Sequence, residues 1–213
     1  MEWKQMAVGP VQANAGFLWN EKNEALIIDP GAEGGRIKRK VEKLELKPIA
    51  ILLTHAHFDH IGAVDLIRET YQIPVYLHIY EEKWLSDASL NGSKLFPVVD
   101  NIEGKPADHL IESEGEMTIG PFQFEVFETP GHSPGSVSFY FKDVNLVFSG
   151  DALFAGSVGR TDLPGGNQKQ LLNSIHNRLL VLPEETIVAS GHGPSTTIEV
   201  EMAENPFLNG FSL

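Results

Sequence analysis

Thr54-His55-Ala56-His57-Phe58-Asp59-His60 is the stretch on which the reading of this chain turns. It sets three imidazoles and one carboxylate within six consecutive positions, His55 to His60, in a chain that has no cysteine. The apolar run Ile49-Ala50-Ile51-Leu52-Leu53 before it reads as a short buried strand. After it, Val64, Ile67 and Tyr71 fall at helical spacing. The cluster therefore occupies a strand-to-helix loop at the carboxyl end of a strand, where open α/β sheets place their sites. In extended chain, alternate residues point the same way, so His55 and His57 can chelate one cation. Asp59 and His60 then turn toward a second point close by. Neutral imidazole and carboxylate are donors that zinc, iron and manganese accept. Protonated histidines packed this closely would repel one another, so metal binding explains the cluster better than scattered loop polarity does.

Three later loops carry the same donor types. Thr129-Pro130-Gly131-His132-Ser133-Pro134-Gly135 offers His132, Ser149-Gly150-Asp151 offers Asp151, and Ser190-Gly191-His192-Gly193-Pro194 offers His192. Each follows a strand-like run and contains glycine, which lets backbone approach closely. Any one alone is an ordinary turn. Together with the first cluster they complete two coordination shells. His55, His57 and His132 hold one metal in this scheme; Asp59, His60 and His192 hold the second, and Asp151 bridges both. Each metal keeps a position open for a shared water, which marks a catalytic site rather than a structural one.

Around these loops the pattern is mixed. Residues 14–19 and 25–28 read as strands, and Asp29-Pro30-Gly31 ends the second with a turn. A helix follows with Ile37, Val41 and Leu44 on one face and the basic run Lys38-Arg39-Lys40 mostly outside. Residues 74–77 read as another strand. The segment 79–105 is the least legible: 80–85 suggests a short helix, Asn91-Gly92-Ser93 breaks it, and such insertions shape pocket rims. Phe122, Phe124 and Val126 alternate with Gln123 and Glu125 as in a half-buried strand, and Val137, Phe139 and Phe141 repeat the pattern. Residues 144–148 and 186–189 are further strands. Asn167, with Gln170 three later, opens a helix carrying Leu171, Leu172, Ile175 and Leu179 on its buried side. A terminal helix begins near Thr196. Strands in both halves, with helices between and after them, predict a layered α/β sandwich in one domain over 1–213. His78, His109 and His176 lie outside every ligand loop and receive no function; the three tryptophans read as packing residues.

Composition narrows the partners. With 29 acids against 16 bases the formal net charge is -13, which argues against a nucleic-acid backbone or an anionic membrane. A small anionic substrate remains compatible, because bound divalent cations dominate the local field. No apolar run approaches a membrane span, and the start Met1-Glu2-Trp3-Lys4-Gln5 resembles neither a signal nor a transit peptide. Absence of cysteine rules out thiolate ligands and disulfides and suits a cytoplasmic location. Nothing in the sequence specifies an oligomeric state.

The run from Thr54 to His60, followed by His132, Asp151 and His192, resembles the metallo-β-lactamase-fold hydrolases in order and spacing across the whole chain. The resemblance implies a four-layer αββα sandwich with the metals at one sheet edge. It also implies that the seven positions His55, His57, Asp59, His60, His132, Asp151 and His192 are the ligands of two divalent ions per chain. Zinc is expected, with iron and manganese as alternatives. His57 stands where the flavodiiron branch carries glutamate. The stretch Gly150 to Gly166 and the ending Glu204-Asn205-Pro206-Phe207-Leu208 are similar to compact bacterial glyoxalase II-like proteins.

That branch implies a hydroxyacyl-glutathione type of thioester as substrate. A metal-bridging hydroxide would attack the carbonyl, with Asp59 and Asp151 as catalytic ligands. Larger glyoxalase II enzymes carry a helical C-terminal domain; here Leu213 follows His192 by only 21 residues (213 − 192), so that domain is expected to be absent. Arg160 replaces their loop lysine, and Asp162 stands where a tyrosine is expected. Arg160 reads equally as a contact to a substrate carboxylate or as half of a structural salt bridge. The stretch Gly159-Arg160-Thr161-Asp162 is shared with iron-dependent persulfide dioxygenases, which makes a mononuclear iron enzyme the alternative, with a non-enzymatic metal protein third.

Overall fold

The apolar runs of the N-terminal half pair with one another. In the computed structural model, which describes residues 1–97 and 99–209, six strands form one sheet in chain order. They are β1 (Glu2–Val8), β2 (Ala13–Trp19), β3 (Glu24–Ile28), β4 (Lys47–Leu52), β5 (Val75–His78) and β6 (His109–Ile111). β1, β2 and β3 are antiparallel neighbours, whereas β3 to β6 all run parallel. Parallel neighbours need crossovers. Helix α1 (Gly34–Lys43) joins β3 to β4, and the short α2 (Phe58–Ile61) with α3 (Val64–Tyr71) joins β4 to β5. α1 buries Ile37 and Val41, and α3 buries Val64 and Ile67, as their spacing predicts. These side chains close on Phe17, Ile27, Ile51 and Val75 from the sheet, forming a core of this half. Burial of each large apolar side chain of this kind stabilises by about 1.5–3 kcal/mol.

The C-terminal half builds its own sheet. Strands β7 (Gly115–Ile119), β8 (Phe122–Glu128), β9 (Val137–Phe141) and β10 (Leu146–Gly150) form a meander. A small hairpin of β11 (Leu153–Phe154) and β12 (Ser157–Val158) follows, then α4 (Gln168–Ser174). β13 (Ile187–Ser190) adds parallel to β10, β14 (Thr196–Thr197) pairs with β13, and α5 (Ile198–Glu204) ends the described elements. The sheet order is β14-β13-β10-β9-β8-β7. Asn167 caps α4 by accepting from the Gln170 N–H at 3.0 Å, as its position predicts.

Tertiary packing divides the chain into two compact units, Met1–Glu112 and Ser113–Leu213, each with one six-stranded sheet. Val98 and residues 210–213, within the expected single domain over 1–213, lie outside the described residues.

Several local expectations change. β9 is buried at all five positions rather than on alternate ones. Tyr140 packs with Leu171 and Ile175, so a helix covers the face that alternation leaves to water. Leu172 is only partly buried, and α4 runs into a π-helical turn over Ile175–Leu179. Residues 80–85 are not one helix; they fall in two separate 3-10 turns, Ile79–Glu81 and Trp84–Ser86. β1, β6 and β7 are strands that periodicity does not announce, being edge-located, short or mixed in burial. No helix among the described residues is long and apolar enough to cross a membrane.

Candidate metal centre

In the first unit β3, β4 and β5 run the same way, so the residues that follow them share one sheet edge. Asp29 follows β3 in the left-handed region, at φ 48°, a conformation that aspartate tolerates better than most residues. Its buried carboxylate accepts from the Thr54 N–H at 2.8 Å through Oδ1 and from the Thr54 hydroxyl at 2.6 Å through Oδ2. The same Oδ2 lies 3.1 Å from His60 Nδ1. A carboxylate only accepts here, so His60 Nδ1 carries the proton and Nε2 holds the lone pair. The Thr54 hydroxyl has given its one proton to Asp29, so it accepts from His55 Nδ1 at 3.1 Å. His55 Nε2 is likewise left as the donor nitrogen. Asp29, His55 and His60 offer atoms within 4.8 Å of one another. Because the Asp29 oxygens already receive three donors, Asp29 orients the histidines rather than joining them as a ligand.

This unit brings together all four residues of the first motif. His55 and His57 meet edge-on with ring centroids 4.9 Å apart, His55 and His60 lie 4.2 Å apart, and His60 Nε2 is 3.8 Å from Asp59 Oδ2. Gly31 makes the close approach beneath them: a Cβ there would sit 1.6 Å from the Asp59 carbonyl oxygen. The segment that was hardest to read supplies a bracket. Buried Glu81 accepts from the Ala56 N–H at 2.6 Å, and the Asn91 carbonyl accepts from the Phe58 N–H at 2.9 Å. The Asn91 amide is itself fixed on the Trp84 and Ile102 carbonyls, and the Trp84 ring lies 5.5 Å from His57.

In the second unit β8, β10 and β13 also run in one direction, since β8 and β10 each pair antiparallel with β9. His132, Asp151 and His192 follow these three strands. Gly150 pairs with Ser190, and the Gly191 N–H donates to the Gly150 carbonyl at 2.8 Å. Asp151 Oδ2 accordingly lies 3.6 Å from His132 Nε2 and 3.5 Å from His192 Nε2. His132 Nδ1 donates to the Arg160 carbonyl at 2.8 Å, which again leaves Nε2 facing the carboxylate. A Cβ at Gly159 would lie 1.8 Å from the Asp151 carbonyl oxygen, so only glycine lets the loop return this closely. Buried Glu201 of α5 anchors that loop, accepting from the Gly156 N–H at 2.9 Å and from the Thr196 hydroxyl at 2.7 Å. Asn205 adds a bond to the Ser157 carbonyl at 3.0 Å.

Both units thus present imidazole Nε2 atoms and carboxylates, with no sulfur. Three of the histidines are oriented by an acceptor or hydroxyl on Nδ1. Such a donor set fits a divalent cation of the zinc, iron or manganese kind. The His192 side chain is 27% exposed against 3% for His132, so it is the more accessible of the pair.

Arg160 turns its guanidinium onto Asp162, with Nε and Nη2 each 2.7 Å from a carboxylate oxygen. This two-pronged bond holds the Asp162 carboxyl down at about 2. The pair is well exposed, so it adds little stability. What Arg160 gives His132 is its carbonyl. Asp29, Glu81, Asn91 and Glu201 were missed in the sequence. Asp29 carried one usable signal, its place just after a strand parallel to the one that leads into the histidines.

Residues 8–192 match the family model of the metallo-beta-lactamase superfamily. Over its full length the chain is 60% identical to the whole of the probable metallo-hydrolase YqgX of Bacillus subtilis (strain 168). It is 36% identical to the hydroxyacylglutathione hydrolase GloC of Haemophilus influenzae, over 94% of this chain and 95% of that one. Among solved structures, BLEG-1 B3 metallo-beta-lactamase is similar with a TM-score of 0.96 at 56% identity, covering 98% of this chain and all of the other. TTHA1623, solved in a di-iron-bound form, is similar with a TM-score of 0.85 at 42% identity over 96% of this chain and all of that one.

Proposed function

Because the chain belongs to the metallo-β-lactamase superfamily, with the mixed α/β fold and two main sheets of that family, we propose that it is a dinuclear hydrolase of thioesters of the hydroxyacyl-glutathione type. The two units act as one metallo-β-lactamase-like domain in this reading. His55, His57 and His132 hold one cation, Asp59, His60 and His192 the other, and Asp151 serves both. Zinc is the expected metal, and the di-iron form of a relative makes iron the first alternative. A cytoplasmic location fits the cysteine-free composition.

The observation that carries the reading is the orientation of the donors. Asp29 holds the proton of His60 on Nδ1, and through the Thr54 hydroxyl it holds that of His55. The Arg160 carbonyl does the same for His132. Two bound divalent cations would lower the pKa of a water to about 7 and polarise a carbonyl. Asp59 orients that nucleophile, and its partial exposure lets substrate reach it. A thiolate leaves readily, which suits a site where no further acid is needed. Thioesters are favoured over other esters by the likeness to GloC.

The test joins metal analysis to assay. Elemental analysis after mild dialysis is expected to give two metals per chain, with thioester cleavage followed by absorbance. Loss of one metal before the other is expected, the more exposed His192 set releasing first. A single tightly held iron, with oxygen uptake on glutathione persulfide and no thioester cleavage, would replace this reading with the dioxygenase. Hydrolysis of β-lactams alone would replace it with a lactamase.

Arg160 is proposed as a contact for a substrate carboxylate in competition with Asp162. On that footing Arg160→Ala raises KM about tenfold for glutathione thioesters, the loss expected of a charged hydrogen bond. Asp162→Ala, which frees the guanidinium, lowers it. An unchanged KM in both variants would confine Arg160 to holding its loop.

A further inference from the structure

A pocket of about 190 Å³ opens in the first unit with Asp59 in its wall. Val8, Val11, Ala32, Phe58 and Ile102 give it an apolar lining. The β1–β2 turn over it is preformed. The Gly9 N–H donates to Glu33 Oε2 at 3.0 Å, and the Gln12 side-chain amide donates to the Gly9 carbonyl at 2.6 Å. Glu33 is held in turn by an ion pair with Arg36. The contact of Gly31 with the Asp59 carbonyl fixes where the β3–α1 segment meets α2.

Two features select the occupant. Apolar cavities of about 150 Å³ take a benzene-sized guest, so this one has room for roughly six carbons. An acyl group of two or three carbons would leave most of it empty. Secondly, the wall is largely carbon, and among the described residues no lysine or arginine lines it. Glutathione carries carboxylates and would find no cationic side chain to pair with there. The occupant is therefore the other half of the substrate.

The geometry points to an acyl-binding pocket: the apolar space walled by Val8, Val11, Ala32, Phe58 and Ile102 takes a neutral aliphatic acyl chain of about six carbons whose carbonyl lies at the Asp59 end. This rests on the thioester reading and shifts its acyl part from short hydroxyacyl groups to longer aliphatic ones.

A ladder of glutathione thioesters, acetyl, butanoyl, hexanoyl and succinyl, tests it on the metal-loaded full chain. Since each buried methylene contributes about 0.8 kcal/mol, kcat/KM should rise about fourfold per added methylene up to hexanoyl. Succinyl, with its carboxylate, should fall below butanoyl. Ala32→Leu, which fills the pocket, and Val11→Asp, at its exposed edge, should each flatten the rise. Binding of 1-hexanol measured by calorimetry is the second readout, and it should weaken in both variants. A ladder that is flat in the wild type, or a slope that survives both variants, overturns the acyl assignment alone. Hexanol binding with no turnover of any thioester overturns the thioester reading, and the acyl assignment with it.

Discussion

Asp29→Ala is expected to cost about 3 kcal/mol or more of folding stability and to weaken metal binding 10–100-fold. The side chain touches no substrate. Its removal leaves the Thr54 N–H, the Thr54 hydroxyl and the His60 Nδ1 proton in the interior without their common acceptor. Each such buried donor costs on the order of 1–3 kcal/mol, and local relaxation recovers part of it. The stability loss is measured by urea denaturation with chelator present, so that metal binding does not add to the folded state. Affinity is measured separately by competition with a chromogenic chelator. Asp29→Asn separates the two effects. Its amide keeps the oxygen that accepts from the Thr54 N–H but sets an N–H where Oδ2 received both the Thr54 hydroxyl and His60 Nδ1. Less stability should be lost, yet His60 is pushed toward the wrong tautomer and metal binding still weakens. Wild-type affinity in the asparagine variant would show that Asp29 only supports the loop.

Asp59→Asn is expected to lower kcat/KM on the order of a thousandfold, within the range lost with a positioned acid–base group, while the protein stays folded. The Asp59 side chain is 14% exposed and lies on the four-residue α2. Exchanging carboxylate for amide there removes a charged ligand without opening a cavity. His192→Ala serves as the companion, because in the proposed scheme both residues belong to the second cation only. Each variant should retain one metal per chain and lose the other, and each should lose most thioester turnover. Elemental analysis and steady-state kinetics on the same preparations give both numbers. Full hydrolytic activity in a variant that holds a single metal would end the dinuclear mechanism.

The sequence by itself determined the candidate donors and the local structures that carry them. Four of the seven proposed ligands lie within six residues, flanked by an apolar strand and a helical repeat, and neighbours that close need no tertiary structure to be recognised. The buried faces of α1 and β8 were legible for the same reason, since side-chain direction follows a fixed period along one element. So was the Asn167 cap, whose bond spans three residues.

Only the tertiary structure decided what lies across elements. Asp29 reads as a turn residue, and 25 residues separate it from Thr54; parallel pairing of β3 with β4 brings them to one edge. Glu81 stands equally far from Ala56, in a segment with no periodicity to mark its one buried carboxylate. β9 shows alternation in its sequence but is covered on both faces, because a helix about thirty residues later packs on Tyr140. Arg160 meets Asp162 only two residues away, but that its carbonyl receives His132 Nδ1, 28 residues earlier, was set by the fold. The apolar pocket beside Asp59 draws its walls from β1, its turn, the start of α2 and the 99–102 segment, and no window of sequence holds them together. Periodicity reports which way a side chain points from its own element; sheet order and strand direction decide what it meets there.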